Sequence, residues 1–261
     1  MFINAERVTG VLLFLINDFI LQLEEMEFAI IAAGEGSRLR KEGFNLPKPL
    51  LPLHGVPLIE RLIRIFAKEG AQKVHVIINK QSPELKLFLE KTTFELPIVL
   101  LEEDTESSLH SFALLVKNNP DWSSCCLTTT DTVFKPHEFH AYLDDFHHHK
   151  NADAFMAVTP FIDDESPLYV NTNQQLEVEA FLDRATPETR YVSGGIYCFR
   201  KAAMDCALSS VAAGNSRMRN FQRALLENSL KVEAFVFEKV VDIDHLKDRE
   251  VAEQFLSEEV S

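Results

Sequence analysis

The feature that most constrains this chain is a short apolar run that breaks into a glycine-containing loop. Residues 28–39 read FAIIAAGEGSRL, a pattern that predicts a buried strand whose carboxyl end opens into a loop. Glycine lets the backbone take positive φ and approach a ligand closely, so successive N–H groups can converge on an anion. We therefore predict a phosphate-binding loop, with positive charge supplied by Arg38 and, ten residues later, by Lys48.

Two common phosphate-binding loops do not fit these residues. A Walker loop needs Gly-Lys followed by Ser or Thr, and a dinucleotide fingerprint needs a third glycine where this chain has Leu39. A purely structural alternative is a tight turn followed by a proline-bounded surface loop.

Together with the Leu-Pro-Lys-Pro-Leu segment at 46–50, the loop resembles the signature of the nucleotidyltransferase superfamily. That signature is a strand, then G-x-G-x-R-L, then P-K-P-L. It occurs in sugar-1-phosphate nucleotidyltransferases and in their cytidylyl and molybdopterin-guanylyl relatives, and the resemblance extends over about residues 26–256. It implies catalytic roles for Arg38 and Lys48. It also assigns nucleotide binding to Ala32, Ala33, Gly34, Glu35, Gly36 and Ser37.

After the loop, helical and strand periodicities alternate. The pattern predicts helices over 57–67, 83–91 and 108–117, and further strands over 74–79, 98–101 and 125–129. Such alternation indicates a mainly parallel sheet, with ligands beyond the carboxyl ends of its strands. The predicted fold is α/β, a three-layer Rossmann-like mixed, mainly parallel sheet flanked by helices; the resemblance implies that it is of the nucleotide-diphospho-sugar transferase type.

We predict one domain over residues 26–261, with a nucleotide-binding half at about 26–135 and an acceptor-binding half at about 136–261. Residues 1–25 contain an apolar run like that of a signal peptide, but Asp18 interrupts it and no A-x-A-like cleavage site follows. The run is also too short to span a bilayer. Because related proteins commonly begin just before this strand, we predict that translation starts at Met26 and that residues 1–25 are a non-native extension.

Charge and cysteine content exclude some partners. The net charge is −14 and the basic residues form no cluster, which argues against nucleic-acid binding. No membrane segment is predicted. The four cysteines include no C-x-x-C pair, which is typical of a reducing compartment, so we predict a cytoplasmic protein.

Acidic residues near two strand ends are candidate metal ligands. Asp131 follows the strand predicted over 125–129, where a carboxylate can bind a hard cation and leave positions open for substrate oxygens. Asp242 and Asp244 alternate with apolar residues, which predicts that both lie on one face of a short strand. A divalent cation would relieve their repulsion. The structural alternatives are an Asx turn or a helix cap at Asp131 and a capped surface helix after Asp244.

The resemblance also points to two binding segments. Ser107 and Ser108 stand where the family usually has Gly-Thr-Ala facing the base and ribose, although capping of the next helix explains them equally well. Further strands are predicted over 154–158, 168–171, 177–182 and 191–199, with a hairpin at 171–175. The last strand contains Ser193, Gly194 and Gly195, similar to the family strand that approaches the acceptor. Paired glycines are also typical of a bulge.

The resemblance supplies the reaction. A phosphate oxygen of the acceptor, a sugar 1-phosphate, attacks the α-phosphorus of a nucleoside triphosphate and releases pyrophosphate, with Mg²⁺ as cofactor. The alternatives are cytidylyl or guanylyl transfer to a non-sugar phosphate and a nucleotide-binding module without turnover, since the family's Glu-Lys-Pro element is absent. A glycosyltransferase would want D-x-D after the fourth strand, where Val133 stands in this chain. The base, the acceptor and the oligomeric state stay open.

Overall fold

The structure is a computed structural model that describes residues 26–162 and 166–258. The predicted extension, residues 1–25, lies outside the described residues. The strands are β1 (Met26–Ala32), β2 (Pro52–Leu53), β3 (Val56–Pro57), β4 (Val74–Ile78), β5 (Ile98–Glu102), β6 (Ser124–Thr129), β7 (Thr132–Val133), β8 (Ala154–Thr159), β9 (Tyr169–Thr172), β10 (Val178–Leu182), β11 (Tyr191–Arg200), β12 (Val232–Val236) and β13 (Val241–Asp242). The helices are α1 (Ser37–Lys41), α2 (Leu58–Lys68), α3 (Pro83–Lys91), α4 (Ser108–Asn118), α5 (Pro136–His148), α6 (Lys201–Ala212), α7 (Met218–Glu227) and α8 (Leu246–Ser257).

A nine-stranded sheet forms the middle layer of the protein. Seven strands follow the order β10-β9-β11-β6-β1-β4-β5, and β8 joins β11 to β12. Strand β1 is hydrogen-bonded in parallel to β4 and β6, whereas β11 is antiparallel to β6, β8 and β9. The predicted α/β fold, a mixed, mainly parallel sheet flanked by helices, is confirmed.

Burial on both faces explains why β1 is apolar along most of its length. Ala29 and Ile31 pack into one apolar cluster with Phe112 of α4, while Phe28 and Ile30 pack into another on the opposite face. A central parallel strand covered by helices on both sides has no face left for polar residues. The signature loop therefore starts from a rigid strand in the middle of the sheet.

The sequence patterns missed several elements after residue 200. Helices α6 and α7 and strand β12 were not predicted. The prediction that Asp242 and Asp244 share one strand is wrong, because β13 ends at Asp242. The backbone N–H groups of Asp244 and His245 both donate to Asp248 Oδ2, which caps α8 and ends the strand.

No helix in residues 26–162 or 166–258 is long and apolar enough to cross a membrane. The sheet takes strands from both predicted halves of the chain, with β11 and β6 paired at their junction. The division into a nucleotide-binding half and an acceptor-binding half stays a prediction.

Candidate active site

The glycine loop ends in a left-handed turn at Gly36, with φ 59° and ψ 34°. A Cβ atom at this position would lie 3.0 Å from the Cβ of Lys48, so a larger residue would push the loop away from that lysine. Helix α1 begins at the next residue, Ser37, and Arg38 is its second residue. The turn thus places Arg38 and Lys48 on the same side of the loop.

Lys48 lies between two carboxylates. Its Nζ is 2.6 Å from Asp131 Oδ2 and 2.9 Å from Asp244 Oδ1, and Arg38 donates to the other oxygen of Asp244. Only 11% of the Lys48 side chain is exposed. Burial by itself would lower the pKa of Lys48, but attraction by Asp131, Asp242 and Asp244 outweighs burial and raises that pKa. Lys48 is therefore a cation at neutral pH.

Asp131 is the anionic partner of that cation. Burial alone would raise the pKa of the Asp131 carboxyl, but the Lys48 ammonium and a hydrogen bond from Thr129 lower it. The carboxylate is therefore ionised at neutral pH and available as an oxygen ligand.

A long-range strand pair brings the acidic residues together. Strands β7 and β13 are antiparallel, with Asp242 opposite Thr132, and Ile243 N donates to Asp131 O at 3.1 Å. One carboxylate oxygen from each of Asp131, Asp242 and Asp244 lies within 4.8 Å of the other two. Two oxygens bound to one Mg²⁺ are at most about 4.2 Å apart. Small side-chain adjustments would thus allow these hard oxygen donors to share an ion, and the donor set fits Mg²⁺.

Two neighbouring cavities meet at Asp131. The loop cavity, of about 520 Å³, is lined by the glycine loop, Arg38, Lys48 and Asp244. The strand cavity, of about 340 Å³, is lined by Asp242 and by the β11 residues Ser193, Gly194 and Gly195. Three residues line both cavities: Ser108, Thr129 and Asp131. The structure therefore separates two compartments that share one carboxylate.

Most of the loop residues predicted to bind nucleotide face the loop cavity. Ala33, Gly34, Glu35, Gly36 and Ser37 line it, whereas Ala32 is buried in the core at the end of β1.

Ser107 and Ser108 begin α4 at the wall of the loop cavity. Ser107 is the N-cap of α4, since its side chain accepts from His110 N, and its Oγ also accepts from Arg217 N at 3.1 Å. Ser108 is the first residue of the helix and reaches both cavities. The structural alternative, helix capping, therefore describes Ser107, although both serines also face the loop cavity.

The glycines of β11 coincide with an irregularity in the sheet. Pairing between β11 and β8 shifts register between Ser193 and Tyr197. Gly195 has φ 73°, and a Cβ atom there would lie 2.7 Å from Thr132 Oγ1. Gly194 and Gly195 were interpreted either as a strand that approaches the acceptor or as a bulge. The two interpretations are compatible, because the bulge is also the stretch of β11 that lines the strand cavity.

Several residues in the strand cavity were not singled out from the sequence. Gln222 of α7 is buried and donates to Ser193 Oγ at 3.1 Å. Burial raises the pKa of Tyr197, which also lines the cavity, to about 12, so its hydroxyl is a neutral donor. Arg217 precedes α7 with φ 68°. The amphipathic pattern of 218–227 is a signal that would have located α7, but not the cavity its residues reach.

The fold and this arrangement of cations and carboxylates define a class of phosphate-handling transferases. The sequence profile of the nucleotidyl transferase family matches residues 29–258, so the chain belongs to that family. Mannose-1-phosphate guanylyltransferase from Mycobacterium tuberculosis is 25% identical over 194 residues, covering 69% of this chain and 50% of that protein. The bifunctional protein GlmU of Picosynechococcus sp. is 24% identical over 234 residues, covering 85% of this chain and 49% of that protein.

A solved structure supports the same fold. The inositol-1-phosphate CTP transferase from T. maritima superposes with a TM-score of 0.74 and 18% sequence identity, covering 89% of this chain and 96% of that one. The chain spans about half the length of the two curated relatives described above.

We expect Gly195→Ala to lower the free energy of unfolding by about 3 kcal/mol, because it adds a positive-φ penalty to a clash with Thr132. Gly214→Ala is the matched control, since Gly214 has φ 83° but no atom within 4 Å of the added Cβ. That variant should lose only about 1 kcal/mol. Chemical denaturation measures the free energy of unfolding of both variants. Equal losses in the two variants would show that the clash with Thr132 does not contribute to the cost of Gly195→Ala.

Proposed function

We propose that this chain transfers a nucleoside monophosphate from a nucleoside triphosphate to a phosphorylated acceptor and releases pyrophosphate. The acceptor that we propose is a sugar 1-phosphate; a relative named for guanylyl transfer to mannose 1-phosphate supports this choice. The observation that carries the proposal is the position of Asp131, which lines both cavities and pairs with Lys48. A substrate in each cavity would meet the other at this carboxylate.

In this proposal the nucleoside triphosphate occupies the loop cavity. Arg38 and the loop N–H groups hold the β and γ phosphates, which leave as pyrophosphate. Lys48 neutralises charge on the α-phosphoryl group as it is transferred. Ser107 and Ser108 lie at the same cavity and are the proposed contacts to the nucleoside.

The acceptor occupies the strand cavity, against Ser193, Gly194 and Gly195. Its phosphate oxygen attacks the α-phosphorus in line. That phosphate is largely ionised at neutral pH, so no side chain has to remove a proton from the nucleophile. Positioning and charge stabilisation by the chain's own residues then account for the rate.

Asp131 and Asp242 would hold Mg²⁺, with Asp244 as a further ligand. When bound, the ion supplies charge neutralisation for phosphate oxygens of both substrates. Asp131 is the ligand that both cavities share, and Asp242 is on the side of the strand cavity.

A non-sugar phosphate is a second candidate acceptor, because the Glu-Lys-Pro element of the sugar-binding relatives is absent. A module that binds nucleotide without turnover is the remaining alternative. We further propose a cytoplasmic location, supported by the four free and buried cysteines at positions 125, 126, 198 and 206.

The test is pyrophosphate release from each of the four nucleoside triphosphates with Mg²⁺, against sugar 1-phosphates and non-sugar phosphates such as phosphocholine. We expect release that depends on one nucleotide and one acceptor, which would identify both substrates. Calorimetry with each nucleotide runs in parallel. If no nucleoside triphosphate binds in the presence of Mg²⁺, the proposal is wrong, and binding without release from any pair would favour the binding module.

A further inference from the structure

Glu42, at the end of α1, lies outside both cavities but contacts the segment that carries Asp244. One of its carboxylate oxygens accepts from Leu246 N at 2.7 Å, and the other pairs with His245 Nδ1. Glu42 is separated from this segment by about 200 residues of chain, so the contact is tertiary. We call Glu42, His245 and the Leu246 N–H group the Glu42 clamp.

The clamp joins the two pieces of chain that the proposed reaction must hold together. On one side is α1, which carries Arg38 four residues before Glu42. On the other is Asp244, whose carboxylate pairs with both Arg38 and Lys48. Leu39 of α1 packs in the same apolar cluster as Ile243, which adds an apolar contact between the same two pieces.

The position of Asp244 depends on such contacts because it lies between β13 and α8 rather than within either. Its backbone N–H donates to Asp248 Oδ2, which fixes the residue from the helix side. The Glu42 clamp fixes the two following residues from the side of the phosphate loop. Charged hydrogen bonds of this kind orient metal ligands without touching the ion.

We propose that Glu42 is a positioning residue, which holds Asp244 in place for the metal and keeps Arg38 beside the loop cavity. The proposal rests on the function given above, since it assumes that Asp244 takes part in metal binding. Glu42 itself lines neither cavity and is not one of the three grouped carboxylates.

Helix α8 offers a matched control. Glu253 accepts a backbone hydrogen bond from His54 N at 2.9 Å, and thus ties the same helix to the turn between β2 and β3. Like Glu42, it is a glutamate that connects α8 to an early part of the chain. It lines neither cavity, and it lies eight residues after His245, towards the end of α8 that is away from Asp244.

The experiment compares Mn²⁺ binding to the wild-type chain, Glu42→Ala and Glu253→Ala by electron paramagnetic resonance, with Mn²⁺ alone and with added tripolyphosphate. We expect Glu42→Ala to weaken Mn²⁺ binding about tenfold, as loss of a group that orients a ligand does in other metal sites. Glu253→Ala should stay within about twofold of wild type. Glu42→Gln keeps an oxygen for Leu246 N–H and should recover part of the loss.

Thermal unfolding of all variants separates positioning from a general loss of stability. The inference is wrong if Glu42→Ala binds Mn²⁺ like wild type, or if the two alanine variants weaken binding equally. A wild-type chain that binds no Mn²⁺ under either condition would instead contradict the proposed metal site, and this inference would fail with it.

Discussion

Asp131→Asn should lower the rate of acceptor-dependent pyrophosphate release by about a thousandfold. The substitution keeps the shape of the side chain but removes the negative charge that both cavities share. Lys48 then loses its anionic partner at 2.6 Å, and the proposed metal site loses its carboxylate at the junction of the two cavities. Positioning of the two reacting phosphates and neutralisation of their charge would therefore fail together.

Asp121→Asn is the matched control for this prediction. Asp121 is exposed and precedes the amino end of β6, whereas Asp131 follows its carboxyl end. Steady-state rates at saturating Mg²⁺, with thermal unfolding as a check on the fold, measure the effect. A rate for Asp131→Asn within about tenfold of wild type would exclude Asp131 as the shared metal ligand.

Lys48→Ala should lower the same rate by about a hundredfold to a thousandfold. Lys48 is the most buried cation of the loop cavity, and its charge lies where the α-phosphoryl group is proposed to react. Because the ammonium is nearly dehydrated in the folded protein, its attraction for phosphate is weakly screened by water. Lys41→Ala, which removes an exposed lysine from the end of α1, should leave the rate close to wild type.

Lys48→Ala should also change how strongly Mg²⁺ raises the melting temperature. Without the ammonium, Asp131 and Asp244 lose a shared counter-ion, so their mutual repulsion rises. Added Mg²⁺ should therefore raise the melting temperature of Lys48→Ala more than that of wild type. Equal shifts in differential scanning fluorimetry would show that the metal does not bind next to Lys48.

The fold up to about residue 129 was predictable from sequence, because the patterns that indicate it are local. The apolar run of β1, the glycine at 36 and the alternating periodicities up to residue 129 each involve residues that are neighbours in the chain. A left-handed turn favours glycine whatever lies around it, and a strand buried on both faces is mostly apolar. The candidate loop and its two cations could thus be named without any knowledge of tertiary contacts.

The later part of the chain was harder to predict from sequence, because local helix capping competes with its strand periodicity. Asp242 and Asp244 have the spacing of one strand face, yet β13 ends at Asp242 and Asp248 accepts from the two backbone N–H groups that precede α8. The cavity residues of α7, such as Gln222, belong to a helix that was not predicted, although its residues have the spacing of an ordinary amphipathic helix. Nothing in their spacing indicates which face meets β11.

The sequence by itself thus determined the strand, the glycine turn and the charges around it, since each depends on the chemistry of adjacent residues. Only the tertiary structure decided which carboxylates meet. Asp131 and Asp242 come together because β7 pairs with β13 across more than a hundred residues of chain. Asp244 approaches Arg38 and Lys48 because α8 is capped and clamped beside α1. Such contacts are set by the packing of the whole sheet and its helices, and no local pattern encodes them.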